Sequence, residues 1–137
     1  CYKRKEAIGD NDFESFRKQN NHHFPYILLV IDEYVDIANK KLNNVLLELM
    51  KDGFKYGIHI ILSTQMISGW GADIDFFKSF KTIICQENYD KKETRKLIGD
   101  YVELKGSGDS LVLRDGELTR TQGLYTFYNE DLSAKFD

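Results

Sequence analysis

The sequence is poor in cysteine, proline and tryptophan, with two, one and one of them in 137 residues, and it has no long apolar run. Two cysteines as far apart as Cys1 and Cys85 do not form a disulfide framework, so we interpret both as reduced thiols. A membrane-spanning helix needs about 20 consecutive apolar residues. We therefore expect this chain to make no membrane contact, and the absences favour a cytoplasmic globular protein.

A strong net charge is absent as well. The formal net charge is −3, so the composition gives no general preference for nucleic acid, and any contact with DNA has to be local. The chain begins with Cys1 rather than methionine and has no signal-peptide pattern. We interpret residues 1–137 as a single fragment of a longer protein, about one domain in size.

A buried-strand pattern leads directly into two carboxylates. Five aliphatic residues, Ile27 to Ile31, precede Asp32 and Glu33. A short apolar run rich in β-branched residues is typical of a strand buried on both faces, in a parallel sheet covered by helices. Ligand sites of such sheets lie at the carboxyl ends of the strands. The sequence therefore predicts a strand over residues 26–33 with both carboxylates at the ligand-binding edge.

A second strand of the same kind is predicted over residues 57–65, and it closes on the polar residues Ser63, Thr64 and Gln65. Apolar residues at intervals of three and four predict an amphipathic helix over residues 40–51, between the two strands. A strand, a crossover helix and a second strand form a βαβ unit, in which both strands end at one edge of the sheet. We therefore expect the polar end of the second strand to lie beside the two carboxylates.

The rest of the chain predicts further short elements. They are two short helices on either side of a turn at Gly9, with Asp12 capping the second; a stop at Gly53 for the helix over 40–51; a third buried strand over 81–85; a helix over 91–98; and C-terminal strands over 110–127. Asp115-Gly116 is suited to the type I′ turn of a hairpin. The predicted fold class is α/β, with a mostly parallel sheet flanked by helices and a C-terminal β-hairpin.

An apolar strand that ends in Asp-Glu is the Walker B pattern of P-loop nucleotide-hydrolysing enzymes. At such a strand end Asp32 can hold Mg²⁺ through water, and Glu33 can polarise the water that attacks the γ-phosphate. Gln65, with Thr64 before it, lies where a sensor for the γ-phosphate or the attacking water is expected. Two alternatives stay open here: a solvated acidic turn for the carboxylates, and a turn residue for Gln65.

Three segments of the sequence together resemble one family. PYILLVIDEYVDI, GIHIILSTQ and GSGDSLVL occur in this order, and Arg120-Thr-Gln-Gly follows them. They are similar to the motor domain of the FtsK/SpoIIIE DNA translocases, including that family's R-x-Q-G strand. The resemblance implies a RecA-like P-loop NTPase fold, of which this chain is the C-terminal half. It also implies ATP and Mg²⁺ as cofactors, double-stranded DNA as a partner, and a hexameric ring.

The same resemblance implies roles for individual residues. Asp32 corresponds to the carboxylate that binds the cofactor and holds Mg²⁺ through water. Glu33 corresponds to the catalytic carboxylate, and Gln65 to the sensor that acts with it. Thr64 is implied to contact the nucleotide.

Two features depart from the family pattern. The phosphate-binding loop G-x-x-x-x-G-K-[ST] does not occur in this sequence, so we expect the chain alone to be inactive as an ATPase. The family's arginines before G-I-H are missing too. Lys51 and Lys55 occur in that region, and a lysine cannot make the planar bidentate contact of an arginine. These departures indicate a divergent member.

Several functions are compatible with these residues. A DNA translocase can serve chromosome segregation or conjugative DNA transfer. The alternatives are a type VII-like secretion ATPase and a catalytically silent docking domain of the same fold. Motors of this kind often have a membrane anchor in another part of the protein.

Two weaker signals have simpler interpretations. His22 and His23 are adjacent and lack the i, i+4 spacing of helical zinc ligands, and we interpret His59, inside the second predicted strand, as a hydrogen-bonded core histidine. Residues 106–109 could bind an anion through backbone amides, but they lead into a strand rather than a helix. We interpret them as a tight connection.

Overall fold

The computed structural model describes residues 2–20, 23–67, 73–87 and 90–123. The chain divides into two compact units, residues 1–80 and residues 81–137. The first unit contains a parallel strand pair with helices, and the second contains an antiparallel sheet with one helix. The predicted α/β class is therefore confirmed. Cys1 and His22 lie outside the described residues.

The described residues of the first unit form four α-helices and two strands. They are α1 (Tyr2–Ile8), α2 (Phe13–Gln19), β1 (Ile27–Ile31), α3 (Lys40–Asp52), β2 (Ile58–Leu62) and α4 (Ile74–Lys78), and two 3₁₀ turns cover Tyr34–Asp36 and Gly53–Tyr56. Strand β1 pairs in parallel with β2, from Ile27 opposite Ile58 to Ile31 opposite Leu62. The predicted strand–helix–strand order with parallel pairing is confirmed. No helix in the described part of the chain is long and apolar enough to cross a membrane.

The predicted burial of the parallel pair is wrong for one of its faces. Leu28 and Val30 of β1 are 57% and 60% exposed, and Ile61 of β2 is 53% exposed. Alternate residues of a strand point to opposite faces, so these side chains share one face, which is open to solvent in the described part of the chain. His59 is on that face and is exposed, its ring 5.4 Å from that of Tyr26. The prediction of a core histidine is therefore wrong.

Helix α3 begins and ends where its sequence indicates. The side chain of Asn39 accepts a hydrogen bond from the backbone N–H of Leu42, which caps the first turn. As predicted, the helix ends at Gly53, which is its C-cap residue; Gly53 has a right-handed φ of −59°, and the chain continues as a 3₁₀ turn. The left-handed residue is Gly57, with φ of 69°. A Cβ at that position would lie 2.2 Å from the Phe13 ring, so a glycine is required there.

The N-terminal helices follow the predicted pattern. Helix α1 ends at Gly9, which has φ of 61°, and the side chain of Asp12 caps α2 by accepting from the backbone N–H of Ser15. The guanidinium of Arg4 donates to the backbone carbonyl oxygens of Tyr56, at 2.8 Å, and of Pro25, at 2.7 Å. Helix α1 is thereby anchored to the two segments that enter the parallel strands.

The second unit is an antiparallel sheet. Its described elements are β3 (Thr82–Cys85), α5 (Lys91–Ile98), β4 (Asp109–Arg114) and β5 (Glu117–Gln122), in the strand order β3-β4-β5. The structure does not show the predicted mostly parallel sheet, because β3 pairs antiparallel with β4 and the parallel pairing described is that of β1 with β2. Strand β3 is also only partly buried, with Ile84 63% exposed.

The predicted C-terminal hairpin is present. Strands β4 and β5 pair from Asp109 opposite Gln122 to Arg114 opposite Glu117. The loop residues Asp115 and Gly116 both have positive φ, 51° and 83°, as a type I′ turn requires. Residues 124–127 of the predicted strand region lie outside the described residues.

An ion pair between the two hairpin strands is also bonded to the loop that precedes them. The side chain of Asp109 is 7% exposed, and its carboxylate accepts from Arg120 Nε at 2.9 Å and Nη2 at 2.5 Å. The backbone N–H of Lys105 donates to the same carboxylate at 2.8 Å. Residues 106–109 form a turn in which the N–H of Asp109 donates to the carbonyl of Gly106. The predicted tight connection is confirmed.

Candidate functional site

The carboxyl ends of the two parallel strands meet at one edge. The strand register ends with Ile31 opposite Leu62, so its continuation brings Asp32 opposite Ser63. The backbone N–H of Ser63 donates to the carbonyl of Ile31, and the N–H of Tyr34 donates to the carbonyl of Ser63, each at 2.9 Å. These two backbone hydrogen bonds continue the pairing of the two strand ends just beyond the regular strands.

Asp32 is held by a residue of the neighbouring strand end. The hydroxyl of Ser63 donates a short hydrogen bond to Asp32 Oδ1. The same oxygen accepts from the backbone N–H of Glu33 at 3.1 Å. The sequence indicated a polar strand end here but assigned Ser63 no role. Ser63 directly follows the last apolar residue of β2, which is the sequence feature that points to it. The strand register is needed to infer from this position that Ser63 contacts Asp32.

Glu33 has an unusual backbone conformation. Its φ and ψ are 48° and 53°, in the left-handed region, which costs a residue other than glycine about 1–2 kcal/mol. The chain turns sharply there, and the side chain is directed to the second strand end, where Gln65 Nε2 donates to Glu33 Oε1 at 3.1 Å. The expected proximity of Gln65 and Glu33 is confirmed.

Thr64 is in a local turn. Its hydroxyl donates to the backbone carbonyl of Met66 at 2.8 Å and accepts from the N–H of Met66 at 3.3 Å. The structure therefore brings together Asp32, Glu33 and Gln65. It directs the Thr64 hydroxyl to its own chain, and a contact of that hydroxyl with nucleotide stays a prediction.

The residue after Glu33 anchors this edge in the core. Tyr34 is 0% exposed, its ring stacks on Phe76 with centroids 5.1 Å apart, and its hydroxyl donates a short hydrogen bond to Asn43 of α3. Burial raises the pKa of the Tyr34 phenol, which keeps it neutral. The strained Glu33 thus precedes one of the most firmly packed side chains of the first unit.

Neither carboxylate at this edge forms an ion pair with a cationic side chain among the described residues. Asp32 is exposed and Glu33 is half-buried. The ion pairs found among the described residues are elsewhere, such as that of Lys55 with Asp52 at 2.8 Å, which raises the pKa of Lys55. Two adjacent carboxylates with no counter-ion in the described part of the chain supply the oxygen ligands that a cation such as Mg²⁺ prefers.

Comparison with known proteins finds similarity to DNA translocases. The chain is 30% identical to the DNA translocase FtsK of Agrobacterium fabrum over 112 residues, which are 77% of this chain and 13% of that protein. It is 28% identical to the DNA translocase FtsK of Staphylococcus epidermidis strain RP62A over 117 residues, 77% of this chain and 15% of that protein. This chain is related to part of the FtsK DNA translocases.

The similarity to FtsK covers a small part of those proteins. The chain spans 13–15% of the length of these FtsK proteins. No protein-family model matches the chain. A protein of another name, the UvrABC system protein C of Mycoplasma capricolum, is 34% identical over 95 residues, which are 61% of this chain and 16% of that protein.

The side chains at the common edge of β1 and β2 fit part of the Mg²⁺–ATP complex that the resemblance to FtsK implies. Mg²⁺ prefers oxygen ligands and is commonly held by one or two carboxylates together with water and phosphate oxygens. Asp32 and Glu33 supply such oxygens, with no competing ion pair among the described residues. The residues therefore fit the metal part of a Mg²⁺–ATP complex. The sequence contains no phosphate-binding loop to hold the phosphates.

Proposed function

We propose that this chain is part of an ATP-driven DNA translocase motor, as the C-terminal half of a RecA-like P-loop NTPase domain. The observation that carries the proposal is the pairing at the common strand edge, where Ser63 holds Asp32 and Gln65 holds Glu33. A solvated acidic turn requires no such partners from a second strand. The similarity to proteins named DNA translocase supports the same function.

The two carboxylates have different tasks in this proposal. Asp32 holds Mg²⁺ through water, and Glu33 is the general base. Bound Mg²⁺–ATP supplies the reactive phosphoryl group and a metal ion that neutralises charge on it. Glu33 Oε1 already accepts a hydrogen bond from Gln65 Nε2. The proton of a water is therefore taken at Oε2, which has no hydrogen-bond donor within the described residues.

Gln65 already makes a contact that its proposed role requires, whereas Thr64 does not. The amide of Gln65 already contacts Glu33, so it can orient the attacking water and sense the γ-phosphate beside the general base. The Thr64 hydroxyl has to leave its turn with Met66 before it contacts the nucleotide. We therefore assign the larger catalytic contribution to Gln65.

Assembly and location belong to the same proposal. The translocase is a hexameric ring in the cytoplasm around double-stranded DNA, with any membrane anchor in another part of the protein. Because the net charge is −3, DNA is contacted by local groups rather than by a general basic surface. Chromosome segregation and conjugative transfer are the two processes that such a motor serves, and a type VII-like secretion ATPase would move protein instead.

A docking domain without catalysis is the second candidate. It is favoured by the missing phosphate-binding loop and by the pairing of Lys55 with Asp52, which occupies one of the two lysines that could replace the family's arginines. Such a domain would keep the fold and use it for assembly.

The decisive experiment measures ATP hydrolysis, with and without double-stranded DNA, by the protein extended upstream to include the expected phosphate-binding loop. Glu33→Gln should abolish turnover, since it removes the general base and keeps the size of the side chain. Asp36→Asn, at an exposed carboxylate three residues further on, is the matched control and should retain turnover.

Each result of that experiment has a clear meaning. DNA-stimulated hydrolysis that depends on Glu33 supports the translocase, and hydrolysis that responds to protein but not to DNA supports a secretion ATPase. A folded, oligomeric protein without hydrolysis contradicts the motor and leaves the docking domain.

A further inference from the structure

We propose that Ser63 is a positioning residue, which holds Asp32 and the backbone of Glu33 in the arrangement that the metal and the attacking water require. The inference deepens the proposed function and rests on it. Ser63 touches neither the nucleotide nor the metal in this proposal. It acts through the two carboxylates.

Ser63 is bonded to three nearly consecutive residues of the other strand end. Its backbone N–H donates to the carbonyl of Ile31, its hydroxyl donates to the carboxylate of Asp32, and its carbonyl accepts from the N–H of Tyr34. One residue thus bonds to both neighbours of Glu33. A residue without a side-chain donor at this position would keep the two backbone bonds and lose the bond to Asp32.

The hydroxyl bond orients the Asp32 carboxylate. Oδ1 accepts from both the Ser63 hydroxyl and the Glu33 N–H. Oδ2 has no donor within the described residues, so it is the oxygen that remains for a metal-bound water. An exposed carboxylate with one oxygen held in this way samples fewer rotamers, which lowers the entropy lost when a ligand binds.

The same contacts hold Glu33 in its strained conformation. Its left-handed backbone, with φ of 48°, lies between Asp32 and Tyr34, both bonded to Ser63, and its amide hydrogen is bonded to the carboxylate that Ser63 orients. Residues in sparsely populated backbone conformations persist when the surrounding structure over-determines them. Removal of the Ser63 hydroxyl should therefore loosen Asp32 and Glu33 together.

The first test uses the 137-residue chain without nucleotide. NMR three-bond couplings report the side-chain rotamer of Asp32, and amide hydrogen exchange reports the Glu33 N–H. Ser63→Ala should average the Asp32 couplings and accelerate exchange at Glu33 several-fold, and Ser63→Thr, which keeps a hydroxyl, should restore both. Ser79→Ala removes an exposed serine hydroxyl that donates to the carbonyl of Asp75 at 3.0 Å, and it should change neither value.

The second test measures the consequence for a metal. Mn²⁺ takes the same oxygen ligands as Mg²⁺ and broadens nearby NMR signals. Mn²⁺ should broaden the Glu33 amide signal of the chain at several-fold lower concentration in the wild type than in Ser63→Ala. In the upstream-extended protein, Ser63→Ala should raise the Mg²⁺ concentration for half-maximal ATP hydrolysis about tenfold, the effect of one hydrogen bond to a charged group.

The outcomes separate this inference from the proposed function. Unchanged Asp32 couplings and Glu33 exchange in Ser63→Ala overturn the positioning role, even if the extended protein hydrolyses ATP. An extended protein that never hydrolyses ATP overturns the motor, and the NMR results then still report on Ser63. An equal loss of folding stability in Ser63→Ala and Ser63→Thr would also count against a specific role of the hydroxyl.

Discussion

Gln65 Nε2 lies 3.1 Å from Glu33 Oε1, although the two residues are 32 positions apart in the chain. The contact connects the ends of two parallel strands, and it gives the proposed general base a donor on one oxygen. Its energetic value can be tested separately from the charge of Glu33, because Gln65 can be changed without altering either carboxylate.

Gln65→Leu should lower the turnover number of the upstream-extended protein for ATP about tenfold or more and leave KM for ATP nearly unchanged. A hydrogen bond to a charged group contributes about 1.5–3 kcal/mol, which corresponds to roughly 10–100-fold in rate if the bond acts in the transition state. Steady-state kinetics over a range of ATP concentrations measure both constants.

Gln86→Leu is the matched control for this change. Gln86 is exposed and directly follows strand β3, as Gln65 follows the end of β2. Its replacement should leave both constants at the wild-type values. An equal loss of turnover in the two variants would show that the effect of Gln65→Leu is not specific to the Glu33 contact.

The Asp109–Arg120 pair predicts an acid-sensitive second unit. Arg120 donates two hydrogen bonds to the Asp109 carboxylate, and these, followed by the backbone N–H of Lys105, lower the pKa of Asp109 from 3.8 to about 2. The ionised pair therefore stabilises the folded state above about pH 4, and that contribution is lost as the pH falls from about 4 to about 2. Urea unfolding of the chain at several pH values in this range measures the loss.

Asp109→Asn should be less stable than the wild type at neutral pH and should show a flatter pH dependence below about pH 4. Asp115→Asn is the control, since Asp115 is exposed in the hairpin loop and its ion pair with Arg114 is 3.6 Å long. Exposed pairs of this kind contribute little. A pH dependence that is unchanged in Asp109→Asn would assign the acid sensitivity to other groups.

The sequence predicted those parts of the fold that depend on local signals. Asp12 caps a helix, Asp115-Gly116 forms a type I′ turn, and the helix over residues 91–98 occupies those residues. Each depends on residues close together in the chain, whose capping and turn preferences have a direct physical cause. The common edge of Asp32 and Gln65 was predictable because parallel strands joined by a helix end on the same side.

The incorrect predictions concern interactions between distant residues. An apolar run such as Ile27 to Ile31 predicts a strand, but it does not show whether other elements cover both faces of that strand. Residues 81–85 have the same character, and their antiparallel partner could not be inferred from their own pattern. The contact of Ser63 with Asp32 depends on the strand register, which the crossover helix does not determine.

Gly57→Ala should destabilise the first unit by about 1.5–4 kcal/mol, as the sum of the net cost of a left-handed alanine and an overpacked contact. The added methyl group would meet the Phe13 ring at 2.2 Å. Gly9→Ala is the control, because Gly9 also has a positive φ, 61°, but has no atom within 4 Å of an added Cβ. It should cost about 0.5–1 kcal/mol, since the left-handed penalty is partly offset by the smaller chain entropy that alanine loses on folding. Equal losses in thermal or urea unfolding would contradict the contact with Phe13.

The left-handed conformation of Glu33 predicts that function costs stability at this position. Glu33→Gly and Glu33→Ala both remove the carboxylate and its bond to Gln65, so their difference isolates the backbone. The glycine variant should be more stable than the alanine variant by about 0.5–1 kcal/mol, since glycine avoids the left-handed penalty but loses more chain entropy on folding.

At Asp36, which does not have a positive φ, the order should reverse, because only the entropy term remains. If alanine is favoured at both positions, Glu33 is not strained. If the order reverses between them, the site keeps a glutamate where glycine would be the better residue for folding, which is expected of a side chain retained for its carboxylate.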